Sequence, residues 1–215
     1  LPNSLMCCVF WESTLRSLGL AWPSDPVNPL ANPQYSAAKG AVLGALIGDA
    51  AGGVLEFMGR PPTPKEAKAA LQDMPGGGVF SLAPGQFTDD GEMTVTLLQT
   101  LCNTQGAYRP DLVAQAYCQW EGSAPFDIGI ATRSALRVNR DRRQEPKGLA
   151  ALVQAQAANN NADSKANGSL MRATPLGIAA CGCSVEEAIA MAEADAAMTH
   201  PNPTCISATT AYVLA

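Results

Sequence analysis

The chain has 215 residues, a net charge of -5 and only 15% charged residues. A chain this long buries roughly 70% of its unfolded surface without disulfide or metal staples, and its sparse, acidic charge argues against both a nucleic-acid module and a disordered chain. Thirty-seven alanines against 6% aromatics suit close-packed helices and argue against a β-sandwich or barrel. Residues 1–35 differ from the rest. They hold two of the three tryptophans and the run Pro23, Pro26, Pro29, Pro33, and they read as a weakly ordered leader to a domain over 36–215. Ser36 is a candidate N-cap for a helix to about Ala51. In it Gly40, Gly44, Gly48 and Gly52 recur every four residues, a stripe that lets another backbone come close. Pro61, Pro62 and Pro64 start a short helix through about Gln72, and Met74 to Gln86 is a Gly/Pro-rich loop. Helical patterns follow at 90–104, 110–121, 128–139, 146–158, 170–181, 184–198 and from 203 onward, with a capping box at Ser184 and Glu187. No alternating strand pattern and no fixed repeat appear, so the fold class is all-α, a compact multi-helix bundle.

Seven cysteines, an odd number without C-x-x-C, sit mostly in apolar helical stretches. This pattern points to buried reduced thiols in the cytoplasm rather than to a secreted disulfide framework. His200 is the single histidine, which argues against a zinc site of His and Cys. No run reaches the ~18 apolar residues of a membrane span. Residues 204–215 still read as helix interior, so the chain is expected to be truncated at its C-terminus.

Four segments could carry chemistry. Thr88-Asp89-Asp90-Gly91-Glu92 lies where a Gly-rich loop meets a helix. Its oxygens suit a hard cation, and they equally suit capping, with Thr88 or Asp89 as cap and Asp90 and Glu92 on the helix dipole. Gly48-Asp49 to Glu56 ends a helix at glycines. Asp49, in an apolar helix, needs a partner if buried, and Glu56 is either a site acid or a solvated residue beyond a C-cap. Asn167-Gly168-Ser169-Leu170-Met171-Arg172 opens a helix whose free N–H groups and Arg172 could hold phosphate, or it is an Asn-Gly turn before a core helix. Thr199-His200-Pro201-Asn202-Pro203 joins two helices, and its histidine is either structural or functional. A basic run, Arg133, Arg137, Arg140, Arg142, Arg143 and Lys147, is interleaved with Asp141 and Glu145 and lacks aromatic partners, so it reads as a solvated face.

Together these segments resemble the ADP-ribosylglycohydrolases, the family of dinitrogenase-reductase-activating glycohydrolase. The resemblance runs from about Tyr35 to Ala215 and rests on G-D-x-x-G-x-x-x-E at 48–56, T-D-D-G-E-M at 88–93, F-D-I-G-x-x-T-R at 126–133, N-G-S-L-M-R at 167–172 and T-H-P-N-P at 199–203. It implies an all-α fold that holds two Mg²⁺ or Mn²⁺ ions and a metal-dependent hydrolase that releases ADP-ribose from a modified protein or small molecule. By resemblance, Thr88, Asp89 and Asp90 match the first metal-ligand run, with Asp89 and Asp90 also catalytic. Glu56 matches the acid that approaches the metals and activates water. Asn167, Gly168, Ser169, Leu170, Met171 and Arg172 match the loop that holds pyrophosphate and ribose, and His200 matches a substrate contact. Position 91 is Gly where many relatives carry Thr. The later D-x-D-T/S ligand motif of such proteins is absent, so the 215-residue chain alone is expected to be catalytically dead or nearly so. The competing expectation is a non-catalytic ADP-ribose binder or structural member of the same fold. Neither a membrane nor a nucleic-acid partner is expected, and the chain is expected to be a monomer.

Overall fold

The computed structural model describes residues 33–138 and 146–215. Among them, nine helices follow in chain order: α1 (Pro33–Gly53), α2 (Pro64–Asp73), α3 (Asp89–Asn103), α4 (Pro110–Gly122), α5 (Ile130–Leu136), α6 (Leu149–Asn161), α7 (Thr174–Ala180), α8 (Val185–Ala197) and α9 (Pro203–Leu214). The all-α expectation holds: the only β pairing among the described residues is an isolated bridge between Gly77 and Leu82.

Local chemistry sets several helix starts. Proline occupies the first turn of α2, α4, α7 and α9, where its missing N–H costs nothing. Thr63 and Glu66 form a capping box on α2, and the expected box of Ser184 and Glu187 closes α8. α1 already runs from Pro33, so Ser36 lies inside it and is not its cap. Residues 1–32 of the expected leader lie outside the described residues, as does the Arg140–Glu145 part of the basic run.

The core forms around α3. Met93, Leu97 and Leu101 recur every four residues and are at most 1% exposed. They pack with Val113 and Tyr117 of α4, Leu136 of α5, Val153 of α6, Leu176 of α7 and Met191 of α8. A smaller cluster of Val42, Leu98 and Cys102 docks α1 on α3. The thiols of Cys102, Cys118 and Cys205 are buried, but Cys181 and Cys183 are exposed. No described helix is long and apolar enough to cross a membrane.

The glycine stripe of α1 does not do what its spacing suggests. A Cβ at Gly40, Gly44, Gly48 or Gly52 would meet no described atom within 4 Å. Gly48 and Gly52 instead line an open cleft, which side chains there would occupy. Close approach occurs elsewhere, at Gly91 and Gly168.

Candidate active site

The cleft, about 860 Å³, lies where α1, the start of α3, the approach to α5, the end of α6 and the 167–171 and 200 loops meet. One wall is acidic. Glu56 follows the end of α1, Asp89 and Asp90 occupy the first turn of α3, and Asp127 precedes α5; all four line the cleft, and among the described residues no Lys or Arg lines it with them.

The first turn of α3 is held from outside the helix. Thr88 takes the N-cap position but makes no side-chain cap bond. Asp49 of α1 supplies it: Oδ2 accepts from the amides of Thr88 (2.8 Å) and Gly91 (2.7 Å), and Oδ1 accepts from the Thr88 hydroxyl (2.8 Å). The partner that Asp49 requires is therefore this helix start, and neither Thr88 nor Asp89 caps with its own side chain. Freed from capping, Asp89 accepts from the Gly129 amide at 3.1 Å. Glu92 leaves the cleft and accepts from the Trp120 indole at 2.7 Å.

Burial, and after it the crowding of like charge, perturbs these acids. Burial, then the charges of Asp127 and Asp90, push Asp89 up to about 7. Burial, then Asp49 and Glu56, push Asp90 up to about 6. Glu56 is raised by burial and by Asp127, and Asp127 by its own burial against the opposing hydrogen bond from Asp89.

The opposite wall is neutral. Asn167, Gly168, Met171 and His200 reach it, with Asn160, Asn161 and Thr132 beside them. Behind it stands a buried ion pair. Arg172 donates to Asp195 from Nε (3.0 Å), to the Gly168 carbonyl and Thr199 Oγ1 from Nη1 (2.8 Å each), and to the Asp195 carbonyl from Nη2 (2.8 Å). Its guanidinium lies 4.6 Å from the centre of the Tyr117 ring, whose hydroxyl donates to Asp195 Oδ1 at 2.9 Å. Burial and the Arg172 charge lower His200 to about 4, so its ring is neutral at ordinary pH.

Glu56, Thr88, Asp89, Asp90, Asn167, Gly168, Met171 and His200 thus share one cleft, and Ser169, Leu170 and Arg172 do not line it. Arg172 is fully buried and committed to Asp195, and Ser169 bonds Thr209 at 3.0 Å. Residues 167–172 form turns, and α7 starts only at Thr174, so the N–H row of a helix start expected at 170 is not there. Two cleft acids, Asp49 and Asp127, were not among the expected site residues. Asp49 carried a signal, an acid in an apolar helix. Asp127, one acid in a loop, carried only its place in the 126–133 motif.

A family model for ADP-ribosylglycohydrolase matches residues 31–215. The chain belongs to the ADP-ribosylglycohydrolase family. It is 43% identical over 106 residues to ADP-ribosylarginine hydrolase Tri1 of Pseudomonas putida (strain GB-1), a match covering 46% of this chain and 27% of that protein. It is 30% identical over 168 residues to the ADP-ribosyl-[dinitrogen reductase] glycohydrolase of Rhodospirillum rubrum, covering 78% of this chain and 53% of that one. The chain therefore spans between about a quarter and a half of these two relatives. A solved structure titled ADP-ribosylglycohydrolase-related protein complex shares the family fold, with a TM-score of 0.60 at 23% identity, over 95% of this chain and 56% of that one.

Proposed function

We propose that this chain carries the cleft of a metal-dependent hydrolase that cleaves the glycosidic bond between ADP-ribose and an acceptor. The observation that carries this reading is the meeting, in one cleft, of four mutually perturbed carboxylates with the neutral wall of Asn167, Gly168 and His200.

The chemistry of the acidic wall fits a hard divalent cation, Mg²⁺ or Mn²⁺. Oxygen donors are crowded and partly dehydrated, and among the described residues no cationic side chain lines the cleft to balance them. Among the described residues, however, no three His, Cys, Asp or Glu side chains form a group that could hold a metal ion. Glu56, Thr88, Asp89 and Asp90 are therefore read as part of a ligand set for two ions. Bound there, the cations would supply Lewis acidity to ribose hydroxyls and to water. Glu56, made more basic by burial and by Asp127, would take a proton from water in this reading. Loss of the acceptor develops positive charge at the anomeric carbon, and a cleft with fixed carboxylates favours that charge. Asn167 and Gly168 offer polar contacts to the nucleotide, without the Arg172 charge.

Arginine-linked ADP-ribose is the first substrate to test, because the Tri1 relative is named for it; other modified proteins or small molecules are the alternatives. A cytoplasmic protein accompanies this reading, supported by the buried thiols of Cys102, Cys118 and Cys205, and a monomer is part of the same proposal. A second reading is a non-catalytic ADP-ribose binder, which the neutral wall of Asn167, Gly168 and His200 would serve without the acidic wall. Calorimetric titration of ADP-ribose in Mg²⁺ and in EDTA, beside an assay of ADP-ribosyl-arginine cleavage, tests both. Metal-dependent binding supports the hydrolase cleft, with cleavage adding its activity; binding that is equal in Mg²⁺ and in EDTA, without cleavage, supports the binder, and no binding in either buffer rejects both.

A further inference from the structure

A row of hydrogen bonds runs from the core to the cleft. Asp195 Oδ2 accepts from Arg172 Nε at 3.0 Å, Arg172 Nη1 donates to Thr199 Oγ1 at 2.8 Å, and Thr199 Oγ1 lies 2.9 Å from His200 Nδ1. A guanidinium has donors only, so the Arg172 bond occupies a lone pair of the Thr199 hydroxyl. The hydroxyl hydrogen then needs an acceptor, and among the described residues the structure gives it one, His200 Nδ1. An accepting Nδ1 carries no hydrogen, so in a neutral ring the hydrogen sits on Nε2.

We infer that Asp195, Arg172 and Thr199 are positioning residues that lock His200 as the Nε2–H tautomer, a fixed hydrogen-bond donor at the floor of the cleft. The ligand group that meets it is an acceptor oxygen, whether phosphate, hydroxyl or carbonyl, and His200 is not the base of the reaction.

Two further features support the assignment. Arg172 Nη1 also holds the Gly168 carbonyl at 2.8 Å, and a Cβ on Gly168 would lie 2.4 Å from His200 Cε1. The same guanidinium therefore sets both the ring's partner and the backbone against which the ring packs. The neutrality of His200 keeps the question one of tautomer rather than of charge. The ligand contact rests on the hydrolase or binder reading, whereas the tautomer is a property of the unliganded chain and stands or falls separately.

The chain has one histidine, so a long-range ¹H–¹⁵N spectrum of labelled protein near neutral pH shows one imidazole without assignment. The expected spectrum has an unprotonated Nδ1 that accepts a hydrogen bond and a protonated Nε2. Thr199→Val removes the hydroxyl and keeps the shape. Its Nδ1 resonance should move, toward a bare nitrogen or toward the average of two exchanging tautomers, while Thr199→Ser should keep the wild-type position. A protonated Nδ1 in the wild-type chain overturns the assignment whether or not the variants fold. A Thr199→Val spectrum that superimposes on the wild type overturns the role of Thr199.

Discussion

Asp49 of α1 caps α3 at Gly91: its Oδ2 accepts the Gly91 amide at 2.7 Å, across 42 positions of sequence. A cap normally comes from the residue just before the helix. Here the residue in that position, Thr88, is itself bound by Asp49, through its amide and its hydroxyl. The turn that carries Asp89 and Asp90 is therefore fixed by the docking of α1, and both side chains are left for the cleft.

Asp49→Ala leaves three donors without their acceptor. Bonds to a charged group of this kind contribute about 1.5–3 kcal/mol each, with strong overlap among them, so a total loss of about 3 kcal/mol is expected in urea denaturation. Asp49→Asn, which keeps one acceptor oxygen, should lose less. A loss below about 0.5 kcal/mol for Asp49→Ala would show that α3 does not depend on this cap.

Gly91→Ala sets propensity against space. In an open helix the change would gain about 1 kcal/mol. Here the new Cβ would fall 2.6 Å from Phe87 Cδ2 and 2.8 Å from Asp49 Oδ2. A net loss of about 1–3 kcal/mol is expected, with a lower melting temperature as the readout. A stabilised variant would mean that α1 moves aside at little cost.

Asp90→Asn should change stability with pH in a definite direction. The carboxyl is pushed up to about 6, by burial first and then by Asp49, Glu56 and Asp127. A raised acid favours folding while it is protonated and opposes it as pH climbs through the folded value, where the folded state must hold the charge. In EDTA, Asp90→Asn should therefore stabilise the chain above about pH 6 and match it near pH 4. The gain is about 1 kcal/mol, discounted because water reaches the half-buried group. In Mg²⁺ at about 5 mM, a concentration of saturating order, the wild type should show a thermal shift under the proposed metal reading, and the variant should lose it. An unchanged Mg²⁺ shift would remove Asp90 from the ligand set.

Arg172 and Asn167, at the two ends of the same motif, should separate cleanly. Arg172→Met strands the buried Asp195 charge and should cost about 3–5 kcal/mol, read from chemical denaturation. Asn167→Ala should leave the melting temperature close to wild type and weaken ADP-ribose binding in calorimetry. A stable Arg172→Met protein with weakened binding would return Arg172 to the cleft.

Helices whose starts are marked by local chemistry were legible in the sequence. Pro110, Pro203 and the Ser184–Glu187 box place three of them within a residue of where they form. Where a distant partner decides, the sequence reading slipped. α7 starts at Thr174 rather than 170 because Arg172 is drawn into the core by Asp195, 23 positions away. α5 stops at Leu136, short of the expected 139, where Arg137 leaves helical geometry and pairs with Glu121 at 2.8 Å. The same limit applies to the site. The T-D-D run declares itself by composition, while the joining of Asp127 to it depends on a fold that brings α5 to α3. The glycine stripe of α1 shows its face by spacing but not what stands opposite, which is space.

Asn161, at the end of α6, donates both hydrogens of its amide, to the carbonyls of Ala131 at 2.7 Å and Thr199 at 2.9 Å. Those carbonyls belong to the first turn of α5, which carries Thr132 into the cleft, and to the loop that carries His200 there. One carboxamide thus acts as a ruler between the start of α5 and the His200 loop. Two hydrogens on one nitrogen set the spacing of these two sides of the cleft floor. Aspartate at the same place would have the same length and shape but would turn both grips into oxygen facing oxygen. The floor would then part along the line where a ligand has to sit.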